Sequence, residues 1–242
     1  MPRRIVLTKA GGPSTLAVVP MEMPKPKAGE IRIEVAYAGI NFADLLMRLG
    51  LYQPRPKYPF TPGYELSGVV DAVGDGVTDF SIGQRVVAAL PNGGQASHVI
   101  VNSQRALHLP DEVGLDVAAS IPVTYLTAHH MLHHLGHMTQ NDAVLIHGGA
   151  GGVGTAALQI CQWAGVSNVW ATASGHKSST IEAFGGIAID RHNEDFVEVI
   201  KKATNNEGVD HILDPIGGDN LSRSLSVPVS YTHLTLPTIL LV

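Results

Sequence analysis

The chain has 242 residues, 45% of them hydrophobic, enough to bury one large or two modest cores. Its formal net charge of -5, with no basic run to offset it, argues against nucleic acid or an anionic membrane surface as the main partner and favours a small-molecule ligand. No stretch approaches the roughly 20 apolar residues of a membrane span, the start MPRRIVLTKAGG is no signal peptide, and the single cysteine excludes an internal disulfide and fits a reducing, cytoplasmic setting. Short apolar runs between Ile5 and Val19 and at Ile31–Val35, broken by Gly11-Gly12-Pro13 and Pro24-Lys25-Pro26, predict strands joined by turns. Leu45, Leu46 and Leu49 predict one or two helical turns after Asp44, and a proline-rich passage from Pro54 to Pro62 follows. Alternation at Ser67–Val73, the turn Gly74-Asp75-Gly76 and an apolar run at Arg85–Ala89 continue an all-β pattern. Residues 1–121 are therefore expected to form a small β-barrel-like domain.

From Leu115 the composition turns helical, with a longer helix expected over Thr124–His137. From Ala143 strands and helices alternate: strand 143–147, helix 153–164, strand 168–173, helix 177–184, strand 187–190, helix 196–204, strand 209–214. That rhythm predicts a parallel sheet covered by helices on both faces. Cys161, on the helix after the first of these strands, is expected to be a buried small apolar residue.

The segment AVLIHGGAGGVGTAALQIC, Ala143–Cys161, reads as strand, glycine turn and helix. Gly149, Gly151 and Gly154 fill the glycine positions of G-x-G-x-x-G: tight turn, close approach to pyrophosphate, and packing of helix on strand. The free N–H groups at the start of that helix, with Gly152 and Val153 in the turn, are expected to face the phosphates of a dinucleotide.

Taken in order, GINFAD, PGYELSGVV, VGDGV, GQRVVA, TYLTAHH, GGAGGVGTAALQI and LDPIGG resemble the medium-chain dehydrogenase/reductase family, and within it the zinc-free quinone oxidoreductase branch that includes the vesicle amine transport protein homologues. The resemblance covers residues 3–225. It implies a GroES-like β-barrel domain followed by a Rossmann domain, here residues 122–226 and incomplete, with the active site between them and a homodimer for the full-length form. It implies that Asn41 and Tyr52 face the nicotinamide and that Thr127 contacts the cofactor.

Zinc-dependent members of this family carry a cysteine where Asn41 stands and a histidine where Tyr64 stands, and neither replacement is a usual zinc ligand. One cysteine in the chain also leaves no cluster for a structural zinc, so no metal is expected. Without a Lewis acid, hydride transfer leans on orientation and hydrogen-bond donors, which favours quinones and α,β-unsaturated carbonyls as acceptors. Tyr52 is expected to donate a hydrogen bond or a proton to the resulting enolate, a phenol being protonated at neutral pH; the alternative is that it only lines the cleft and solvent supplies the proton. A nucleotide-binding protein with a structural or partner-binding role and little turnover is the second reading of the chain.

At the end of the second Rossmann strand an NAD enzyme usually carries Asp or Glu for the ribose hydroxyls. This chain has Ser174-Gly175-His176-Lys177 there, and Arg191 stands where the family often has a tyrosine. Ser174, Lys177 and Arg191 are accordingly expected to receive the 2′-phosphate of NADP(H); a helix-capping Ser174 and a solvated Lys177 are the plain alternative. His129, His133 and His137, with His130 and His134 beside them, share helix faces, but no carboxylate or cysteine joins them and no physiological metal site is expected.

The last residues, 227–242, are expected to be non-native. Val229–Thr238, VSYTHLTLPT, is the one-frame translation of a transposase adapter used in sequencing libraries. Such a tail is expected to pack poorly, or to lie as a strand on an exposed sheet edge through Thr238–Val242.

Overall fold

The computed structural model describes residues 1–53 and 55–235, and the chain falls into two units, Met1–Val123 and one that begins at Thr124. Pro54, the first residue of the proline-rich passage, lies outside the described residues. In the first unit β1 (Arg3–Leu7) and β2 (Leu16–Pro20) form an antiparallel ribbon with Leu7 opposite Leu16. Next come β3 (Glu30–Ala38), α1 (Phe42–Leu49), β4 (Glu65–Val73), β5 (Arg85–Ala89), β6 (His98–Asn102) and β7 (Ala106–His108). These strands make an antiparallel sheet in the order β6-β3-β4-β5-β7. The alternation read at Ile31-Arg32-Ile33 is the reason for its core: Ile31 and Ile33 are fully buried with Leu66, Val70, Val86 and Val101. The two strands β6 and β7 carry no expectation of their own; β7, with three residues, is too short for period-2 alternation to stand out.

Helix α1 starts earlier than its leucines suggest because the cap, not the apolar pattern, sets its first turn. Asp44 Oδ2 accepts from the Asn41 backbone N–H at 2.9 Å, and Gly50, at φ 77°, ends the helix in the left-handed region. Beyond β7, α2 (Leu115–Ala118) packs on β4, where Ser67 Oγ donates to Leu115 O at 2.5 Å.

Thr124–His137 is not one α-helix, as the sequence suggests. After α3 (Pro122–His129) the backbone widens into a π-helical turn over His130–Leu135, closed by Gly136 N donating to Met131 O at 3.0 Å. The wider turn buries Met131 and Leu132 together, with Met138 beside them, a packing effect that sequence periodicity does not carry.

In the second unit β8 (Ala143–Ile146), α4 (Gly152–Trp163), β9 (Asn168–Ala173), α5 (Ser178–Glu182), β10 (Ile187–Asp190), α6 (Phe196–Ala203), β11 (Val209–Leu213), α7 (Asp219–Ser224) and β12 (Pro228–Thr235) follow in strict alternation. The sheet is parallel in the order β10-β9-β8-β11-β12, with its switch point at β8. Both faces are apolar, as a parallel sheet requires: Val144 and Ile146 join one buried cluster with Ala156, Ile160 and Cys161, while Leu145 joins another with Trp170, Phe196 and Ile200. Burial pushes the Cys161 thiol up to about 12, so it is an inert core residue.

Part of the tail forms a strand on the β11 edge, β12, Pro228–Thr235, with a register shift between Val209 and His211; the strand expected at Thr238–Val242 lies outside the described residues. β11 offers an edge of unpaired backbone groups, and the nearest chain satisfies it, starting directly after Val227, which is buried against α6 and β11.

Candidate active site and cofactor cradle

The glycine turn links β8 to α4 through Gly148, at φ 66°, and ends at Gly151, the N-cap residue, whose backbone is extended and which offers no capping side chain. The first N–H groups of α4, including those of Gly152 and Val153, thus lack a side-chain acceptor, which is how helix N-termini receive phosphate. A Cβ at Gly149 would lie 2.5 Å from the Ala171 Cβ, and one at Gly154 would lie 2.3 Å from Gly148 O and 2.7 Å from Gly149 Cα. Any side chain at either position would push helix and strand apart. At Gly151 the nearest atom to a Cβ is Gly148 O at 3.2 Å, a looser fit. Thr127 is half-buried on α3, one turn from Thr124, whose methyl lies 3.1 Å from where a Gly152 Cβ would stand.

His147, which belongs to no sequence motif, locks this turn. It is fully buried, with Nδ1 3.2 Å from Thr172 Oγ1 and Nε2 2.9 Å from Ser224 Oγ, and Thr172 Oγ1 accepts from Gly148 N at 3.2 Å. Burial pushes the imidazole below its ordinary value, against the pull of the Asp214 carboxylate and with the push of Arg223. Over the carboxyl ends of β9, β10 and β11 lies a cavity of about 250 Å³ lined by Thr172, Arg191, Phe196, Ile216, Gly217 and Arg223.

Ser174, Lys177 and Arg191 come together at one corner of the sheet. Ser174 follows β9, Lys177 N donates back to Ser174 O at 2.8 Å, and Arg191 N donates to Ala173 O at 2.9 Å. The Lys177 and Arg191 residues are exposed. Two neighbours were not expected. His192 Nε2 lies 3.4 Å from Ser174 Oγ and accepts from Arg191 Nε at 3.2 Å. Asp190, brought opposite Ala173 by the β9–β10 register, supplies a carboxylate where the sequence offered none. That carboxylate is engaged by the loop itself: Oδ1 accepts from Gly175 N and His192 N, each at 3.1 Å, and Oδ2 from Asn193 Nδ2 at 2.6 Å. The donors, led by the His192 and Asn193 hydrogen bonds, hold Asp190 below the usual carboxylate range.

In the first unit Asn41 Nδ2 donates to Glu65 Oε1 at 2.7 Å, and Glu65 Oε2 accepts from Val123 N at 2.8 Å. Burial raises the Glu65 carboxyl, against these two donors, and Asp44 raises it further. Tyr52 is 6% exposed, packed with Leu7, Met47 and Phe60, and its ring centroid lies 6.1 Å from that of Tyr64. Asn41 and Tyr52 therefore meet consecutive residues, Glu65 and Tyr64. Burial, then the neighbouring Tyr52 phenol, then the Asp44 carboxylate push the Tyr64 phenol well above its ordinary value.

These groups do not suit zinc. An amide that spends its N–H on a carboxylate and a phenol that holds its proton replace the thiolate and imidazole a catalytic zinc takes. Among the described residues no group of three or more His, Cys, Asp or Glu is placed to hold a metal ion. The helical histidines pair, His129 with His133 tilted at 4.9 Å and His130 stacked on His134 at 4.6 Å between ring centroids, and His137 ends the run at φ 54°. No helix among the described residues is long and apolar enough to cross a membrane.

Two parts define this architecture: a GroES-like sheet domain and a Rossmann-like parallel sheet with a glycine turn at its switch point. Residues 27–111 match a family described as alcohol dehydrogenase GroES-like domain, and residues 152–228 one described as zinc-binding dehydrogenase. The chain is 39% identical to the synaptic vesicle membrane protein VAT-1 homolog of Danio rerio, over 95% of this chain and 49% of that protein, so it spans about half the length of that relative. It is 37% identical to a probable quinone oxidoreductase of Schizosaccharomyces pombe, over 91% of this chain and 67% of the relative. Among solved structures, CurK enoyl reductase superposes with a TM-score of 0.92 at 34% identity, over 97% of this chain and 73% of that one. A mycobacterial protein solved in complex with NADPH superposes with a TM-score of 0.88 at 34% identity, again over 97% of this chain and 73% of that one. The chain belongs to the medium-chain dehydrogenase/reductase family, in the branch of the quinone oxidoreductases and VAT-1 homologues.

Proposed function

We propose that this chain belongs to a cytoplasmic, zinc-independent oxidoreductase that reduces quinones or α,β-unsaturated carbonyls with NADPH. In it, residues 122–226 hold the cofactor and residues 1–121 serve the acceptor, with a homodimer as the full-length form. The observation that carries the reading is the conjunction, in the second unit, of an uncapped glycine turn with Ser174, Lys177 and Arg191 around a carboxylate that the loop already occupies. A carboxylate free to accept at that corner would take the ribose hydroxyls of NAD, whereas the Asp190 oxygens are already engaged by Gly175, His192 and Asn193.

NADPH, when bound, supplies a hydride. The N–H groups of Gly152, Val153 and Gly154 hold its pyrophosphate, Gly149 and Gly151 leave room for it, and Thr127 and Asn41 contact it nearer the nicotinamide. The cavity at Thr172, Arg191 and Ile216 takes the adenosine. Ser174 donates a hydrogen bond to the 2′-phosphate, and Lys177 and Arg191 supply charge. On the acceptor side, Asn41 is oriented by Glu65, and Tyr52 is the proton donor for the enolate or hydroquinone oxygen that forms when hydride arrives at carbon. Conjugated acceptors suit such a site because they spread the negative charge that a metal would otherwise stabilise.

The cofactor half is tested by titrating the protein with NADPH and with NADH while following cofactor fluorescence. Tighter binding of NADPH, with 2′,5′-ADP competing better than ADP, is expected; equal affinities would remove the 2′-phosphate assignment.

A further inference from the structure

One imidazole nitrogen meets two of the residues gathered at the carboxyl end of β9. His192 Nε2 accepts from Arg191 Nε at 3.2 Å and lies 3.4 Å from Ser174 Oγ. An arginine only donates, so this nitrogen carries a lone pair and the neutral ring keeps its proton on Nδ1. The residue is placed through its backbone: His192 N donates to Asp190 Oδ1 at 3.1 Å, the same oxygen that takes Gly175 N from the turn after β9. His192 is exposed, so it does not stand between the two turns to fill a core.

Besides His192, the two turns carry the titratable groups of Asp190, Arg191, Glu194 and Asp195 on one and of His176 and Lys177 on the other. The acids accept from the protein itself. Asp190 takes Gly175 N, His192 N and Asn193 Nδ2, Glu194 takes the Asp190 backbone N–H at 2.8 Å, and Asp195 takes Arg223 at 2.6 Å. What the corner offers a ligand is therefore mainly donors, and a phosphate monoester, whose oxygens accept, suits them. Seating one there draws Arg191 Nε–H and Ser174 O–H away from His192 Nε2 and leaves a lone pair against phosphate oxygens, which repel it. A proton on that nitrogen turns the repulsion into a charge-assisted hydrogen bond, and the Asp190 carboxylate beside it favours the same cation.

We propose that His192, in its protonated form, is a ligand of the 2′-phosphate, so that NADPH binds together with a proton and NADH does not. The inference rests on the reading of Ser174, Lys177 and Arg191 as the 2′-phosphate corner, and it adds to them a residue type whose charge changes near neutral pH. In the step, solvent gives a proton to the Nε2 lone pair, Arg191 Nε–H and Ser174 O–H turn from Nε2 to phosphate oxygens, and the new Nε2–H joins them. By linkage, affinity for NADPH then falls as pH rises through the range in which histidine gives up its proton, by at most about tenfold per pH unit for one proton. The second ionisation of the phosphate, near about pH 6, acts in the opposite sense and is largely complete by about pH 7.

The test measures the dissociation constants of NADPH and NADH at about pH 7 and about pH 8 for the parent, His192→Gln and His176→Gln, and counts protons by calorimetry of NADPH binding in two buffers of different ionisation enthalpy. His192 is exposed, so its replacement leaves the core intact. In the parent and in His176→Gln, NADPH is expected to bind about threefold or more weakly at the higher pH and to take up a proton. His192→Gln should show neither effect. NADH, which lacks only the 2′-phosphate, should show no such change in any of the three and so reports on every other histidine. If NADPH is preferred to NADH but the parent takes up no proton, the inference falls and the 2′-phosphate reading stands. The same holds if His192→Gln keeps the pH dependence, if His176→Gln loses it, or if NADH shares it. Equal affinities of the parent for the two cofactors at both pH values remove the 2′-phosphate reading and the inference with it.

Discussion

Asn41 Nδ2 reaches Glu65 Oε1 at 2.7 Å, and this contact joins the cap of α1 to the first residue of β4. Both Glu65 oxygens accept from donors, the second from Val123 N at 2.8 Å, so an ionised carboxylate is the group that satisfies the pair. Glu65→Gln keeps the shape but turns one acceptor into a donor facing a donor. A loss of about 1 to 3 kcal/mol is expected, the cost of an unmatched buried polar group. It should appear as a lower urea midpoint with an unchanged slope, and a midpoint equal to that of the parent would contradict the assignment.

The glycine turn makes a graded prediction. Gly154→Ala drives a methyl into Gly148 O and the Gly149 backbone, which cannot move aside, so unit stability and cofactor binding should both be lost. Gly151→Ala meets only Gly148 O, at 3.2 Å, and should fold while binding NADPH more weakly, because its methyl enters the space for pyrophosphate. Thermal unfolding together with a cofactor titration separates the two effects, and equal behaviour of both variants would contradict the division of roles.

The glycine turn was legible because its constraint is local: Gly149 and Gly154 announce a close backbone approach in any context that offers a strand before and a helix after. The parallel sheet was legible for the same reason, since its strands are apolar on both faces. What escaped depends on pairs distant in sequence. Asp190 reaches Gly175 only through the register of β10 on β9, so a search for an acid directly after β9 finds Ser174 and stops. His147 reads as one more histidine until Thr172 and Ser224 close on it. The π-helical turn at His130–Leu135 follows from burying Met131, Leu132 and Met138 together, and the edge strand Pro228–Thr235 from the need of β11 for a partner; neither has a periodic signature.

Lys177→Ala should weaken NADPH binding by about 1 to 3 kcal/mol, the scale of a lost charge-assisted contact, and leave NADH nearly unchanged. Isothermal titration with both cofactors checks this, and an equal loss for the two would remove Lys177 from the 2′-phosphate.

His147 sets an acid limit on the second unit. Its imidazole is held below the ordinary value, so in the folded protein it stays neutral where the unfolded chain binds a proton. The unfolded state then carries more protons below about pH 6.5, and stability falls as pH drops through that value towards the folded-state one. His147→Gln should be less stable at neutral pH, through the changed bonds to Thr172 and Ser224, yet lose less stability between about pH 7.5 and about pH 5.5 than the parent. Urea unfolding at the two pH values measures this, and an acid loss of the same size in both proteins would contradict a buried neutral His147.

The central claim is metal-free, NADPH-dependent reduction of a conjugated acceptor, and the most direct measurement is loss of nicotinamide absorbance with a panel of quinones and enones in the presence of a strong chelator. The account predicts acceptor-dependent oxidation of NADPH, slower with NADH and unaffected by the chelator. Tight NADPH binding with no acceptor turned over would contradict it and favour a nucleotide-binding protein with a structural or partner-binding role, and activity abolished by the chelator and restored by zinc would contradict the reading of Asn41 and Tyr64.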